Sequence, residues 1–97
     1  MPVELDLNDS LFQRQMVGLE KNEGTALLKT LRKLMQLEWQ AVYQDSGLNW
    51  EAIQSKTDDD GERVYSLRVT QKCRAVVQRR GNRMVFQGLY PDHDSAY

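Results

Sequence analysis

The chain has 97 residues, of which 40% are apolar and 28% charged, with a formal net charge of −1 and a pI of about 5.8. That is the length of one domain, 1–97, and the composition of a globular chain rather than a disordered one. Its single cysteine, Cys73, excludes an internal disulfide, and no apolar run approaches the roughly 20 residues that a membrane span requires.

The acidic start Met1-Pro2-Val3-Glu4-Leu5-Asp6 does not read as a signal peptide, so the expected compartment is the cytoplasm. Val3 to Leu7 alternates apolar and polar, which predicts a half-buried strand stopped by Asn8-Asp9-Ser10. Ser10 and Gln13 have the spacing of a capping box. Leu11, Phe12, Gln15, Met16 and Leu19 continue at helical spacing, predicting a helix from Ser10 to Lys21 that Asn22-Glu23-Gly24 ends. Thr25 is placed to cap a second helix. Its apolar stripe is Leu27, Leu28, Leu31, Leu34, Met35, Trp39 and Val42, and its end falls near Asp45-Ser46-Gly47.

Leu48 to Ile53 is a short alternating segment, and Lys56 to Glu62 a polar loop. The run Asp58-Asp59-Asp60 lacks the alternating ligands of a calcium loop and reads as solvated. The last third is different in kind. Val64–Val69, Cys73–Gln78 and Arg83–Tyr90 read as three consecutive antiparallel strands, the last two joined by a Gly81-Asn82 hairpin turn. The expected fold is α+β: an N-terminal strand and a helix hairpin packed on a mostly antiparallel sheet, in the order β-α-α-β-β-β. Cys73, inside an apolar strand, reads as a small buried hydrophobe.

Charge is unevenly distributed. Arg63, Arg68, Lys72, Arg74, Arg79, Arg80 and Arg83 follow one another with no acid between Glu62 and Asp92. A neutral protein with a basic sheet still offers a local anion site. If Leu67 and Val69 lie under the helices, Ser66 and Arg68 face the other way, and the same alternation sends Arg74 with them. Two arginines on adjacent strands of an open face could make a phosphate cradle, because the guanidinium fork donates bidentately, although taken by themselves they read more readily as two solvated surface residues. The sole histidine, His93, stands between Asp92 and Asp94. On spacing alone it reads as a turn or helix-cap residue more readily than as a proton carrier. One histidine does not supply a zinc ligand set. No phosphate-cradling glycine loop and no Gly-x-Ser-x-Gly elbow is present.

Four segments carry a resemblance. Leu48-Asn49-Trp50-Glu51-Ala52-Ile53 resembles an L-x-x-E-x-I/L lead into a sheet. Tyr65-Ser66-Leu67-Arg68-Val69 resembles a Y-S-x-R-V strand, and Cys73-Arg74-Ala75-Val76-Val77 a y-R-a-i/v strand. Asp92-His93-Asp94-Ser95-Ala96-Tyr97 resembles an x-H-D-x-A-Y ending. In this order, behind a helix hairpin, they are similar to the RelE/ParE family of bacterial toxin–antitoxin toxins, across about half the chain. The resemblance implies a toxin that is a ribosome-dependent messenger-RNA endonuclease and is inhibited by a cognate antitoxin. Such an enzyme needs no metal or cofactor: the 2′-hydroxyl attacks the adjacent phosphorus, giving a cyclic phosphate and a 5′-hydroxyl.

The resemblance makes Arg74 the residue that stabilises charge and Arg68 the holder of the scissile phosphate, with Lys72, Arg79 and Arg80 as further RNA contacts. His93 and Tyr97 take terminal acid/base and base-stacking roles, and Glu51 a structural or accessory one. The partners implied are an antitoxin, the ribosome and messenger RNA; a homodimer is allowed and a membrane is not implied. Two alternatives stay open: the ParE branch, whose target is gyrase, and a binding module without catalysis.

Overall fold

A computed structural model describes residues 1–57 and 62–91, without the side chains of 54–57 and 91. The first strand, β1 (Glu4–Asp6), runs parallel to the last strand of the chain, pairing Glu4, Leu5 and Asp6 with Arg83, Met84 and Val85. Helix α1 (Ser10–Val17) follows. Its cap is Asp9, not Ser10: the Asp9 carboxylate accepts from the Phe12 amide at 2.9 Å, filling one of the helix's orphan donors. Gln13 does not reach back to close a capping box, because its amide donates to the Leu7 carbonyl at 2.8 Å.

The helix also stops earlier than the sequence predicts, at Gly18 rather than at Asn22-Glu23-Gly24. Those three residues instead form the first turn of α2 (Lys21–Leu34). The core sets this boundary. Leu27, Leu31 and Leu34 are buried and fix the rotation of α2, and that register carries the helix back past Thr25 to Lys21. A glycine in this half-exposed first turn costs only about 1 kcal/mol against alanine, less than that packing contributes.

The long second helix expected through Asp45 is two helices. The chain leaves helical geometry after Leu34 and resumes as α3 (Trp39–Gln44). In the break the Leu37 carbonyl accepts from the Val3 amide at 2.9 Å, tying the link to the start of β1. Trp39 and Val42 are buried while Leu28 and Met35 are 61% and 59% exposed, so the apolar stripe is split between helices.

Four strands then follow, where three were expected: β2 (Glu51–Thr57), β3 (Arg63–Thr70), β4 (Cys73–Arg80) and β5 (Arg83–Pro91). The segment read as a short lead and the start of a loop is the edge strand β2, antiparallel to β3 with an irregularity between Ala52 and Thr57. The Gly81-Asn82 turn forms as predicted, Gly81 at φ +63°, where a side chain would be strained. The five strands lie in the order β1-β5-β4-β3-β2, antiparallel except for β1. The architecture is α+β: three helices among the described residues and a mixed five-stranded sheet.

The core lies between helices and sheet. α1 packs on β5 and α2 on β3. Phe12 of α1 meets Phe86 of β5 with ring centroids 5.2 Å apart, both fully buried beside Leu67, Val77 and Met84. Cys73 is buried and is not part of a disulfide. No helix among the described residues is long and apolar enough to cross a membrane.

Candidate functional site

Alternation sorts β3 and β4 into two faces. Leu67, Ala75 and Val77 lie in the core under the helices. The other face carries Val64, Ser66 and Arg68 of β3 with Arg74, Val76 and Gln78 of β4. The register sets Arg68 directly opposite Arg74, Ser66 opposite Val76, and Arg74 opposite Tyr90 of β5. Arg68, Arg74 and Tyr90 therefore form one row across three strands.

This face is not the open surface that alternation suggests. Ser66, Val76 and Gln78 are buried, and Arg74 is only 3% exposed. Ile53, Val64 and Val76 make a second small apolar cluster with Tyr90 packed against it. A flat sheet with helices on one side leaves its other side wet. Here a turn and long side chains lie back across the strands.

The turn explains Arg74. Asn49 has φ +48°, a left-handed conformation that asparagine tolerates better than most residues. It turns the chain so that the Leu48 carbonyl accepts from the Arg68 amide at 2.6 Å. The Asn49 carbonyl accepts from Arg74 Nη2 at 2.8 Å. Ser66 Oγ accepts from the same guanidinium, from Nε at 3.2 Å and from Nη2 at 3.0 Å. Arg74 is thus held in place by a hydroxyl and a carbonyl, with no carboxylate partner among the described residues. Its Nη1 makes no hydrogen bond there.

Arg68 is the contrasting case. It is half-buried, its Nε is shielded from solvent, and no acceptor among the described residues reaches that nitrogen. An orphaned N–H costs the desolvation of the group, about 1–3 kcal/mol. Two cations directly opposed on neighbouring strands add repulsion. An anion bound here would relieve both penalties.

Tyr90 completes the row, and sequence reading missed it. Its ring folds back over Gly88, where a β-carbon would stand 2.7 Å from Cε2 and 2.9 Å from the phenolic oxygen. A glycine two residues before an aromatic on one strand face was the available signal. Glu51 lies opposite Ser66 on β2 and is exposed, which sets it diagonal to Arg68 on this face.

The remaining candidates are dispersed. Lys72 sits exposed in the β3–β4 turn, its amide bonded to Thr70 Oγ1 at 3.0 Å. With Gln15, Cys73, Leu89 and Tyr90 it borders a cavity of about 380 Å³ between α1 and the sheet end. Arg79 faces the helices and not Arg74, because an odd step along a strand reverses the face; its Nη1 donates to Tyr43 Oη at 2.7 Å. Arg80 shares Arg74's parity but stands six residues away, roughly 20 Å along the strand. There it donates to Gln78 Oε1 at 3.1 Å and pairs with Glu62 at 3.7 Å. His93 and Tyr97 lie outside the described residues. No cluster of metal-ligating side chains occurs among the described residues.

No family model matches this chain, and no curated protein matches it. Among solved structures it is similar to a toxin from Helicobacter pylori, determined as a copper-bound mutant, at 15% identity and a TM-score of 0.52. The match covers 93% of this chain and 94% of that one. At that identity the likeness concerns the fold alone: this chain shares its α+β fold with that protein over nearly the whole of both chains.

Proposed function

We propose that the chain is the toxin of a toxin–antitoxin module of the RelE/ParE type, and that it cuts messenger RNA at the ribosome with the Arg68–Arg74 row as its phosphate site. The observation that carries this reading is the orphaned Nε of Arg68 opposite a guanidinium held rigid by Ser66 and Asn49. Rigid, incompletely bonded cations in a partly dry site are what a developing phosphorane charge requires.

In this reading Arg68 binds a non-bridging oxygen of the scissile phosphate. Arg74 orients the site and turns Nη1 toward the charge that grows as the 2′-hydroxyl attacks phosphorus. Glu51 is the described carboxylate nearest in register to accept the hydroxyl proton. His93 and Tyr97 keep the terminal acid and base-stacking roles that the family resemblance implies. Tyr90 offers a second aromatic surface beside Arg74. The partner is an antitoxin that covers the basic row.

A second reading has its own observation. Arg74 is almost fully buried and spends Nε and Nη2 on the fold. That suits a binding module, or a gyrase-directed toxin, in which the arginine is a strut. Induction in a bacterial host separates the readings. The nuclease predicts growth arrest with messages cut within translated regions, abolished by Arg68→Gln. Arrest with intact messages and damaged DNA supports gyrase, and no arrest supports the binding module.

A further inference from the structure

Beyond α3, the helix side of the sheet ends in an arginine–aromatic ledge that the Arg68–Arg74 row does not use. Trp50 stacks on Tyr65 with centroids 4.7 Å apart, and meets Trp39 edge-on and Tyr43 at a tilt, both at 5.6 Å. The Arg79 guanidinium lies over Trp39, its Cζ 4.5 Å from the ring centroid and 6.0 Å from that of Tyr43. Arg79 Nε donates to the Gly81 carbonyl and Nη1 to Tyr43 Oη. Its Nη2 has no partner among the described residues.

Continuing the Tyr65–Val77 register by two residues sets Arg63 opposite Arg79 on the same face. Both arginines are exposed, and neither pairs with a carboxylate among the described residues. Folding accounts for part of this group only. Trp39 is buried and donates to the Asn82 carbonyl at 3.2 Å, so it belongs to the core. Tyr43, however, remains 47% exposed. Two opposed like charges on adjacent strands weaken a sheet rather than support it.

We propose that this ledge is a binding site for single-stranded nucleic acid. The planar guanidinium of Arg79, already immobilised, and the facing Arg63 take successive phosphates, while a base packs on the exposed ring of Tyr43 beside the half-buried Trp50. An acidic peptide would satisfy the cations and leave the aromatic surface without a planar partner. The site lies on the sheet face opposite the Arg68–Arg74 row and does not rest on the nuclease reading, so either survives the loss of the other.

The test is a titration of the full chain with a short labelled oligouridylate, followed by anisotropy and by tryptophan emission. Binding is expected to quench the emission. Arg63→Gln with Arg79→Gln should weaken binding roughly tenfold or more and flatten the salt dependence of log K by about 1.4, at about 0.7 per lost phosphate contact. Should Arg79→Gln lower the melting temperature, Arg63→Gln alone, which removes no hydrogen bond of the fold, should still flatten the slope by about 0.7. An unchanged affinity and slope in Arg63→Gln overturns the proposal, as does anisotropy rising with no change in emission. A polyglutamate peptide that competes as strongly as the oligonucleotide overturns the nucleic-acid assignment.

Discussion

The ring of Tyr90 occupies the space that a β-carbon on Gly88 would need, 2.7 Å from where that carbon would stand. The two residues share one face of β5, and the ring packs there against the cluster of Ile53, Val64 and Val76. Gly88→Ala must therefore move the ring off the sheet and away from Arg74. The expected result is a melting temperature lowered by several degrees, with growth arrest lost well before folding is. Tyr90→Phe separates the phenol from the ring: arrest retained by Tyr90→Phe but lost by Gly88→Ala would assign the role to ring position.

The two arginines of the row should respond oppositely to substitution. Arg74→Ala deprives the Asn49 carbonyl and Ser66 hydroxyl of their donor and leaves a hole in a buried row. It should cost about 2–4 kcal/mol in urea unfolding. Arg68→Gln removes an orphaned N–H and a like-charge contact, and should change stability by less than about 1 kcal/mol. Arrest abolished in the stable Arg68→Gln variant ties this face to activity. Equal destabilisation by the two substitutions contradicts the division of labour between them.

Asp45 links α2 to the turn before β2. Its carboxylate accepts from Lys33 Nζ at 2.8 Å and from the Leu48 amide at 3.0 Å. The Lys33 hydrogen bond, aided by the Leu48 and Gly47 amides and the Lys33 charge, holds its pKa below the usual 3.8 against a smaller opposing effect of burial. A lowered folded-state pKa means the unfolded chain takes up the proton first as pH falls. This contribution is therefore complete above about pH 5, and fades as pH drops through the folded value. Asp45→Asn should cost roughly 0.5–1 kcal/mol near neutrality. Its deficit relative to the parent should shrink in melts taken toward pH 3. A deficit independent of pH would mean that the charge contributes nothing.

Capping of α1 offers a test of the boundary shift. Asp9→Ala should cost about 1 kcal/mol, since the Phe12 amide loses its acceptor. Ser10→Ala, at the position that the sequence pattern favours for the cap, should be close to neutral. Thermal melts of the two variants compare them directly; a larger loss from Ser10→Ala would return the cap to Ser10.

Local chemistry determined much of this molecule. Alternation over Val64–Val69 and Cys73–Gln78, with a glycine at the one turn position needing positive φ, is enough to write the β3–β4–β5 meander. It is also enough to send Arg68 and Arg74 to the same side. Such signals are local because a strand's period of two and a tight turn's dihedrals belong to neighbouring residues. The helix breaks are not local in this sense. Leu27, Leu31, Leu34, Trp39 and Val42 keep helical spacing across the gap, and periodicity does not distinguish one helix from two that share a register. Only the bond from Val3 to Leu37 and the burial of Trp39 at the sheet decide it. The β2 strand escaped for a like reason, since an edge strand is defined by the partner it finds. The tertiary structure alone decided that Arg74 is buried, because Asn49 and Ser66, 25 and 8 residues away in sequence, supply its acceptors. Parity along β4 already sends Arg79 to the face away from Arg74; what the tertiary structure alone supplied are Trp39 and Tyr43, which receive it there. Hydrogen bonds and ring contacts between distant segments form only once the chain is folded, and no local pattern encodes them.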